Sequence, residues 1–387
     1  MRGLGQMRFL FTCGGTAGHI NPALSVAGRL RELLPESEIL FIGAEGQMET
    51  ELVPREGYDL RTVKITNLRR GFSLDMVRHN AATVKNVLTA TAAAKRIIRE
   101  FRPDMALGTG GYVCYPVLRA AHQLKVPTAV HESNAEPGLT TKLLAGTVDK
   151  ILTGFPDSRK NYRRAAKVEV TGTPVRVDFA RISQRQAKAE LGLPLDKPFL
   201  LSVWGSLGAG LINDLMVELI ERSLHKPFFS LMHATGKRYF LKVWERLRRD
   251  GVSDLELHDI FVKEYIYDMP RAMAAADLVV CRAGASTLSE LAVLGKPAIL
   301  VPSPNVTNNH QEKNALVLEQ AGAAKLLREK DLTVETLLAA VSETLQDKAR
   351  LGRMAEAMRK TGNPHAADRI AEIALELAGK GQLTVDS

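Results

Sequence analysis

Short apolar runs recur along the chain with polar, helix-periodic stretches between them: Phe9–Cys13, Ile39–Gly43, Met105–Thr109, Thr128–Glu132 and Lys150–Phe155, then Phe199–Trp204, Phe228–His233, Leu278–Cys281 and Ala298–Pro302. Runs that short and that continuously apolar read as strands covered on both faces. Strands alternating with amphipathic helices are joined by right-handed crossovers into parallel sheets, so the fold class is α/β. The alternation breaks once, where Thr171–Val177 (TGTPVRV), a polar helix and Leu193–Pro198 (LPLDKP) intervene. The second series then opens as the first does, since Phe9–Leu30 and Phe199–Leu219 both read strand, glycine-rich turn, helix. This predicts two Rossmann-like parallel-sheet domains facing across a cleft, residues 1–178 and 179–360, with a linker near 178–197. Gly362-Asn363-Pro364 introduces a last helix over Ala366–Ala378, and residues 361–387 are expected to return to the N-terminal domain.

Composition adds limits rather than detail. A chain of 387 residues with 45% hydrophobic and 25% charged positions has room for two ordinary cores, which excludes disordered, collagenous and coiled-coil classes. Cys13, Cys114 and Cys281 are far apart, odd in number and without Cys-x-x-Cys spacing, so neither a disulfide framework nor a zinc site is expected and a reducing cytoplasm fits. No apolar run approaches the roughly 18 residues of a membrane span, and Phe9-Leu10-Phe11 leads into glycines as a buried strand does, so no signal peptide is read. The net charge of +9 is uneven: residues 1–180 hold 25 of the 52 Lys and Arg and 17 of the 43 Asp and Glu. A surplus of +8 in that half suggests an anionic partner there, nucleic acid or an acidic membrane surface, although a basic solubilising surface reads the same.

Candidate chemistry gathers at strand ends. Gly14-Gly15-Thr16-Ala17-Gly18-His19 follows the first strand and opens a helix, where backbone amides and the helix dipole suit an anion or a reacting hydroxyl. It lacks the spacing of a dinucleotide loop or a P-loop. Gly205-Ser206-Leu207-Gly208-Ala209 repeats the device, and Trp204 stands where a nucleophile elbow needs glycine, so a serine hydrolase is not expected. In Cys281–Glu290 (CRAGASTLSE), Glu290 lies a helical turn beyond Ser286 and Thr287, placed to accept two ribose hydroxyls while the turn holds phosphate; a Ser/Thr cap with Glu290 as capping-box partner reads the same residues. Gln311 and Asn314 in the polar loop Pro302–Asn314 are candidates for sugar hydroxyls, and His131, Glu132 and Asn134 end a strand of the first domain, as ligands or as buried structural groups. There is no Asp-x-Asp and no His-Glu-x-x-His, so no resident metal and no cofactor are expected. Leaving-group charge would fall to amides, helix N-termini and Arg176.

In this order, GGTAGHINPALSVA, GTGGY, HESN, GTPVR, GSLGA, YIYDM, RAGASTLSE and NHQEKNA resemble the motifs of the peptidoglycan N-acetylglucosaminyltransferase family, GT-B fold enzymes that convert lipid I to lipid II. The resemblance runs from about residue 8 to about residue 375. It implies UDP-GlcNAc as donor, bound mainly by the C-terminal domain: backbone at Ile266 on the uracil, Glu290 on the ribose, and Ser206, Ser286, Thr287 and Arg176 at the diphosphate. Gln311 and Ala285 would hold the sugar, with Leu288 and Ser289 in the same stretch. On the acceptor side it implies Thr16, Ala17, Gly18 and Asn134 as substrate contacts and His19 as general base, histidine being the side chain that titrates nearest working pH. The family carries glycine at position 17 in common members, and glycine and glutamine at 204 and 207 in many, where this chain has Ala17, Trp204 and Leu207.

The implied reaction is inverting transfer of GlcNAc to the 4-hydroxyl of lipid-linked MurNAc. The acceptor is a polyprenyl pyrophosphate, so the resemblance also implies peripheral attachment to the cytoplasmic face of the bacterial cell membrane, with other cell-wall synthesis proteins as partners. Lys64–Arg78 (KITNLRRGFSLDMVR) interleaves Arg69, Arg70 and Arg78 with Leu68, Phe72 and Leu74 as a segment resting on anionic headgroups would, and as an ordinary amphipathic surface segment would. Two other readings stay open: a related transferase glycosylating another lipid such as diacylglycerol, and a non-catalytic nucleotide or nucleic-acid binder. Nucleic acid is disfavoured by the 5% aromatic content, which does not interleave with the basic residues.

Overall fold

The computed structural model describes residues 7–66, 74–176, 179, 182–205, 208–224, 228–252, 257 and 259–379, with backbone alone over 74–85 and at 165 and 307. The chain forms two compact units, Met1–Arg176 with Asn363–Ser387, and Val177–Gly362.

The first unit carries β1 (Arg8–Thr12), β2 (Glu38–Ala44), β3 (Asp59–Val63), β4 (Met105–Gly108), β5 (Thr128–Glu132), β6 (Lys150–Thr153) and β7 (Val168–Val170), in the order β3-β2-β1-β4-β5-β6-β7. Every pairing is parallel. The helices between are α1 (Ala17–Leu33), α2 (Glu49–Arg55), α3 (Leu74–Phe101), α4 (Cys114–Gln123) and α5 (Leu139–Leu144). The strand period of two sorts β1 between two cores. Phe9 and Phe11 join Ile20, Val26 and Leu30 of α1 on one face, while Leu10 joins Ile97, Ile98, Val117 and Leu118 of α3 and α4 on the other.

The second unit begins with α6 (Gln184–Glu190) and continues with β8 (Phe199–Val203), α7 (Gly210–Ser223), β9 (Ser230–Ala234), α8 (Phe240–Arg249), β10 (Ile260–Lys263), α9 (Met269–Ala275), β11 (Leu278–Cys281), α10 (Ala285–Leu294), β12 (Ala298–Leu300), α11 (His310–Gln320), β13 (Ala324–Leu326), α12 (Val334–Gln346) and α13 (Lys348–Thr361). Its parallel sheet runs β10-β9-β8-β11-β12-β13. The polar helix expected in a linker is α6, and it is docked: Gln184 Nε2 and Lys188 Nζ donate to the Asp277 carboxylate at 2.9 and 2.7 Å, which also accepts from Phe199 N at 2.8 Å. Asp277 thereby ties α6 to the start of β8.

A last helix, α14 (Ala366–Leu377), packs on α1. It buries Ile370, Ala371, Ala374 and Leu375 in the core that holds Phe9 and Phe11. Four strands were not predicted, β3, β7, β10 and β13, and all four are sheet edges. An edge strand is covered by a neighbour on one side only and carries polar residues, as in DLRTV and VEV, so it has no continuous apolar run to read.

Candidate functional site

In open parallel sheets, ligands bind beyond the carboxyl ends of the strands where the strand order reverses. The first sheet reverses between β1 and β4, and the turns that leave those two strands are Cys13–Thr16 and Thr109–Val113. Both contain glycines that the geometry requires. Gly15 has φ +83°, and Gly111 has φ +89° with a position for Cβ only 2.4 Å from the Gly14 carbonyl oxygen. Gly14 N donates to Gly110 O at 3.2 Å, which joins the two turns. Thr16 is the exposed N-cap of α1, and Ala17, Gly18 and His19 form the half-buried first turn, in which the His19 N–H is spent on Thr16 O at 3.0 Å and the Ala17 and Gly18 amides are of the kind a helix start leaves without an intrahelical acceptor. The His19 ring lies against Gly110, with Nδ1 3.0 Å from Gly14 O and 3.3 Å from Thr16 Oγ1. A carbonyl accepts only, so Nδ1 carries the proton toward Gly14 and Nε2 bears the lone pair.

The end of β5 separates presented groups from consumed ones. His131 is fully buried, with Nε2 donating to Gly172 O at 3.0 Å, and burial lowers its pKa below the ordinary histidine value. The Glu132 carboxylate accepts from Asn134 N and Nδ2 at 3.0 and 2.9 Å, from Gly138 N at 2.9 Å and from Thr141 Oγ1 at 2.7 Å. All its lone pairs are occupied, so its work is to shape the loop that holds the half-buried Asn134. Arg176 is half exposed at the end of the first unit, its Nη1 3.9 Å from Glu56 Oε1.

The second sheet reverses between β8 and β11. After β8 comes the turn with Gly205 at φ +77° and Gly208 at φ +70°, where a Cβ on Gly208 would lie 2.0 Å from Thr235 O. Ser206 and Leu207 lie outside the described residues. After β11, Gly284 is the N-cap of α10, with φ −72°, ψ 134° and no side-chain cap bond. Ser286 and Thr287 are therefore inside the first turn, and Ser286 Oγ donates to Glu290 Oε1 at 3.4 Å. This corrects the capping-box reading: the N-terminal amides of α10 have no side-chain cap of their own. Ala285 is buried, and Ser289 Oγ donates back to Ala285 O at 2.9 Å. Leu288 faces the core and its N–H is spent on Gly284 O at 3.0 Å, so the fold sets it apart from the others.

After β12, Gln311 Oε1 accepts from Ser303 N at 2.8 Å, which closes the polar loop, and Asn314 is buried with Nδ2 donating to Ala283 O at 3.3 Å. A pocket of about 550 Å³ opens beside this loop, lined by Leu211, Pro302, Ser303, Asn309, Glu312 and Arg328 among others. Ile266 is buried in the loop after β10, between the exposed Tyr265 and Tyr267, whose rings meet edge-on at 5.0 Å. The three cysteines are buried and protonated: burial pushes Cys114 and Cys281 up to about 12, and Cys13 also well above the ordinary thiol value.

Residues 9–153 match the glycosyltransferase family 28 N-terminal domain and residues 200–370 its C-terminal domain. A protein of Acetivibrio thermocellus called UDP-N-acetylglucosamine--N-acetylmuramyl-(pentapeptide) pyrophosphoryl-undecaprenol N-acetylglucosamine transferase is 41% identical over 95% of this chain and 97% of its own length. The transferase of that name from Bacillus cytotoxicus is 42% identical over 97% of this chain and 100% of its own. The chain belongs to this transferase family. The crystal structure of Acinetobacter baumannii MurG superposes with a TM-score of 0.74 at 26% identity, covering 96% of this chain and 99% of that one. The pair of parallel-sheet α/β domains that the resemblance implied, of GT-B type, is the fold of this chain.

As a family 28 transferase the chain departs from the common pattern without strain at position 17, because Ala17 begins α1 in ordinary helical backbone and is absent from the left-handed positions among the described residues. At the other departure, the Trp204 indole is buried, donates from Nε1 to Ser202 Oγ at 2.7 Å and lies under the Arg282 guanidinium at 5.6 Å. Sequence reasoning missed one residue of this transferase altogether. Glu49, a charged residue opening a short polar helix, is fully buried beneath the first glycine turn. Its signals in the sequence are the glycines at 14 and 43, neither of which has a left-handed φ to explain it. Of the basic segment Lys64–Arg78, residues 67–73, including Leu68, Arg69, Arg70 and Phe72, lie outside the described residues, as do the side chains at 74–78. No described helix is long and apolar enough to cross a membrane.

Proposed function

We propose that this chain transfers GlcNAc from UDP-GlcNAc to the 4-hydroxyl of MurNAc in lipid I, the pentapeptide-bearing polyprenyl pyrophosphate, giving lipid II with inversion at the anomeric carbon. The reaction is the one named for relatives about 41% identical over nearly the whole chain. The single observation that carries the chemistry is His19 at a helix N-terminus, with Nδ1 committed to an acceptor and Nε2 therefore the basic nitrogen. Nε2 takes the proton of the acceptor hydroxyl as its oxygen attacks the anomeric carbon. The bond from that carbon to the UDP oxygen breaks, and UDP leaves with the electron pair.

The acceptor is held by Thr16, Ala17 and Gly18 at the start of α1 and by Asn134. The donor is held by Ile266 at the uracil, Glu290 at the ribose, and Ser286, Thr287, Ser206 and Arg176 at the diphosphate. Ala285, Leu288, Ser289 and Gln311 complete the sugar and nucleotide contacts, Leu288 by packing behind them. The developing UDP charge is met by amide donors at the start of α10, preorganised before the charge appears, and by Arg176. A lipid acceptor places the enzyme at the anionic cytoplasmic face of the membrane as a peripheral protein beside other cell-wall enzymes, which the +9 net charge supports.

The deciding assay is transfer from labelled UDP-GlcNAc to a lipid I analogue with EDTA present, comparing wild type with His19→Ala. A β-linked disaccharide from the wild type and a fall in turnover of about 10²–10⁴ in the variant, with UDP affinity within about twofold, is the expected result. Donor binding without transfer would move the acceptor to another lipid. Unchanged turnover in His19→Ala would remove the base role.

A further inference from the structure

We infer that Glu49 is a positioning residue for this reaction: its buried carboxylate locks the first glycine turn so that the Gly14 carbonyl holds the His19 Nδ1 proton and Nε2 stays basic. The inference rests on the base role proposed for His19. A carboxylate without exposure is costly unless its oxygens are hydrogen-bonded, and Glu49 is 0% exposed. Its partners are backbone amides from two strand ends, Ala44 N donating to Oε1 at 2.8 Å and Gly15 N donating to Oε2 at 3.0 Å. The chain makes room for it. A Cβ on Gly14 would sit 2.4 Å from Oε1 and one on Gly43 would sit 2.5 Å from Cγ, and neither glycine needs a left-handed φ, so what they supply is space for this side chain.

From there the link to His19 is short. Glu49 fixes the N–H of Gly15, the peptide between Gly14 and Gly15 is thereby oriented, and the oxygen of that peptide is the group 3.0 Å from His19 Nδ1. Gly110, bonded to Gly14 N, closes the other side of the imidazole so closely that a Cβ there would lie 2.4 Å from Cδ2. The ring is held by the turn, and the turn is held by Glu49. Glu49→Gln keeps the shape but turns an NH₂ toward one of the two amides, a donor facing a donor. Glu49→Asp keeps the charge and loses about one C–C bond of reach, roughly 1.5 Å.

The test uses the full-length enzyme in two measurements. In the substrate-free protein, the imidazole ¹⁵N signals of His19, assigned by their loss in His19→Ala, report which nitrogen carries the proton. In the transfer assay, kcat and KM for UDP-GlcNAc are read separately and kcat is followed with pH. We expect a single Nδ1–H tautomer in the wild type and mixed tautomers in Glu49→Gln. We also expect kcat down at least about tenfold with KM for the donor within about twofold, an acid limb of kcat that shifts, and an intermediate Glu49→Asp. Wild-type kcat and tautomer in Glu49→Gln would overturn the inference. So would a loss of kcat with the His19 tautomer and pH limb unchanged, since that is what a purely structural carboxylate gives. If Glu49→Gln fails to fold, the same readouts on Glu49→Asp decide. Failure of the wild type to transfer GlcNAc at all would instead remove the functional reading, while the tautomer still judges the link from Glu49 to His19.

Discussion

His233 is fully buried in the second unit, and its four neighbours leave it one protonation state. Trp204 Nε1 donates to Ser202 Oγ at 2.7 Å, Ser202 Oγ donates to His233 Nδ1 at 2.9 Å, His233 Nε2 donates to Asn213 Oδ1 at 2.9 Å, and Asn213 Nδ2 donates to Thr235 O at 3.0 Å. Every proton runs one way and every acceptor is filled, so the neutral ring is required, and burial lowers its pKa to about 3. A base whose folded pKa is lowered binds its proton in the unfolded chain first. Its stabilisation is complete above the ordinary value near 6.5 and is lost as pH falls from there toward 3. Chemical denaturation should show lower stability at pH 5 than at pH 7, by roughly 2 kcal/mol from this residue with most of the loss below about pH 6.5, and His131 adding in the same direction. His233→Gln should be less stable at pH 7 by about 1–3 kcal/mol and have a shallower slope below pH 6.5; an unchanged slope would assign the acid sensitivity elsewhere. At this scale the sequence was a partial guide. His19 and Glu290 stand out because their spacing from glycines or hydroxyl residues is local, whereas whether Glu132 is presented or consumed depended on Gly138 and Thr141, and Glu49 on Gly15, partners that spacing does not name.

Among elements, the strands with company on both sides were legible and the edges were not. β3 carries Asp59, Arg61 and Thr62 because half its surroundings are water, and a polar five-residue segment between helices reads as a loop. The helix that closes the chain, by contrast, was legible to within a residue, because Gly362-Asn363-Pro364 marks its start and Ile370, Ile373, Ala374 and Leu377 recur at helical spacing. What it covers was decided by packing. Ile370 is 1% exposed against the core around Phe9 and Phe11, so Ile370→Ala should destabilise the first unit by about 2–4 kcal/mol in a denaturant titration followed by a first-unit probe. The turn after β4 is less tolerant still. Gly111→Ala puts a methyl 2.4 Å from a backbone oxygen at a left-handed φ, and neither side is a flexible side chain that can move away. It should abolish transfer while the second unit still binds UDP with wild-type affinity by calorimetry.

For the whole molecule, the consequence of two separate cores is that unfolding has two parts. Scanning calorimetry of the intact enzyme should resolve two transitions, and UDP should raise the one that belongs to the unit holding α10, by an amount that grows with the logarithm of UDP concentration above its Kd, with the other little moved. A single transition shifted as a whole would mean the units unfold together. The +8 surplus in residues 1–180 belongs to this scale too: binding to vesicles containing phosphatidylglycerol should weaken as salt is raised and weaken further in a double Arg69→Ala, Arg70→Ala variant. The sequence by itself determined the class of fold, the repeat of strand, glycine turn and helix, the inward strands and the closing helix, because apolar periodicity and glycine placement are local consequences of backbone geometry and burial. The tertiary structure alone decided which strands became edges, that α6 docks rather than links, that the glycine turns stand where each strand order reverses, and that Glu49 lies beneath one of them. Those are matters of which distant segments lie side by side, and a hydrogen bond between Glu49 and Gly15 exists only once β1 and β2 are neighbours in a sheet.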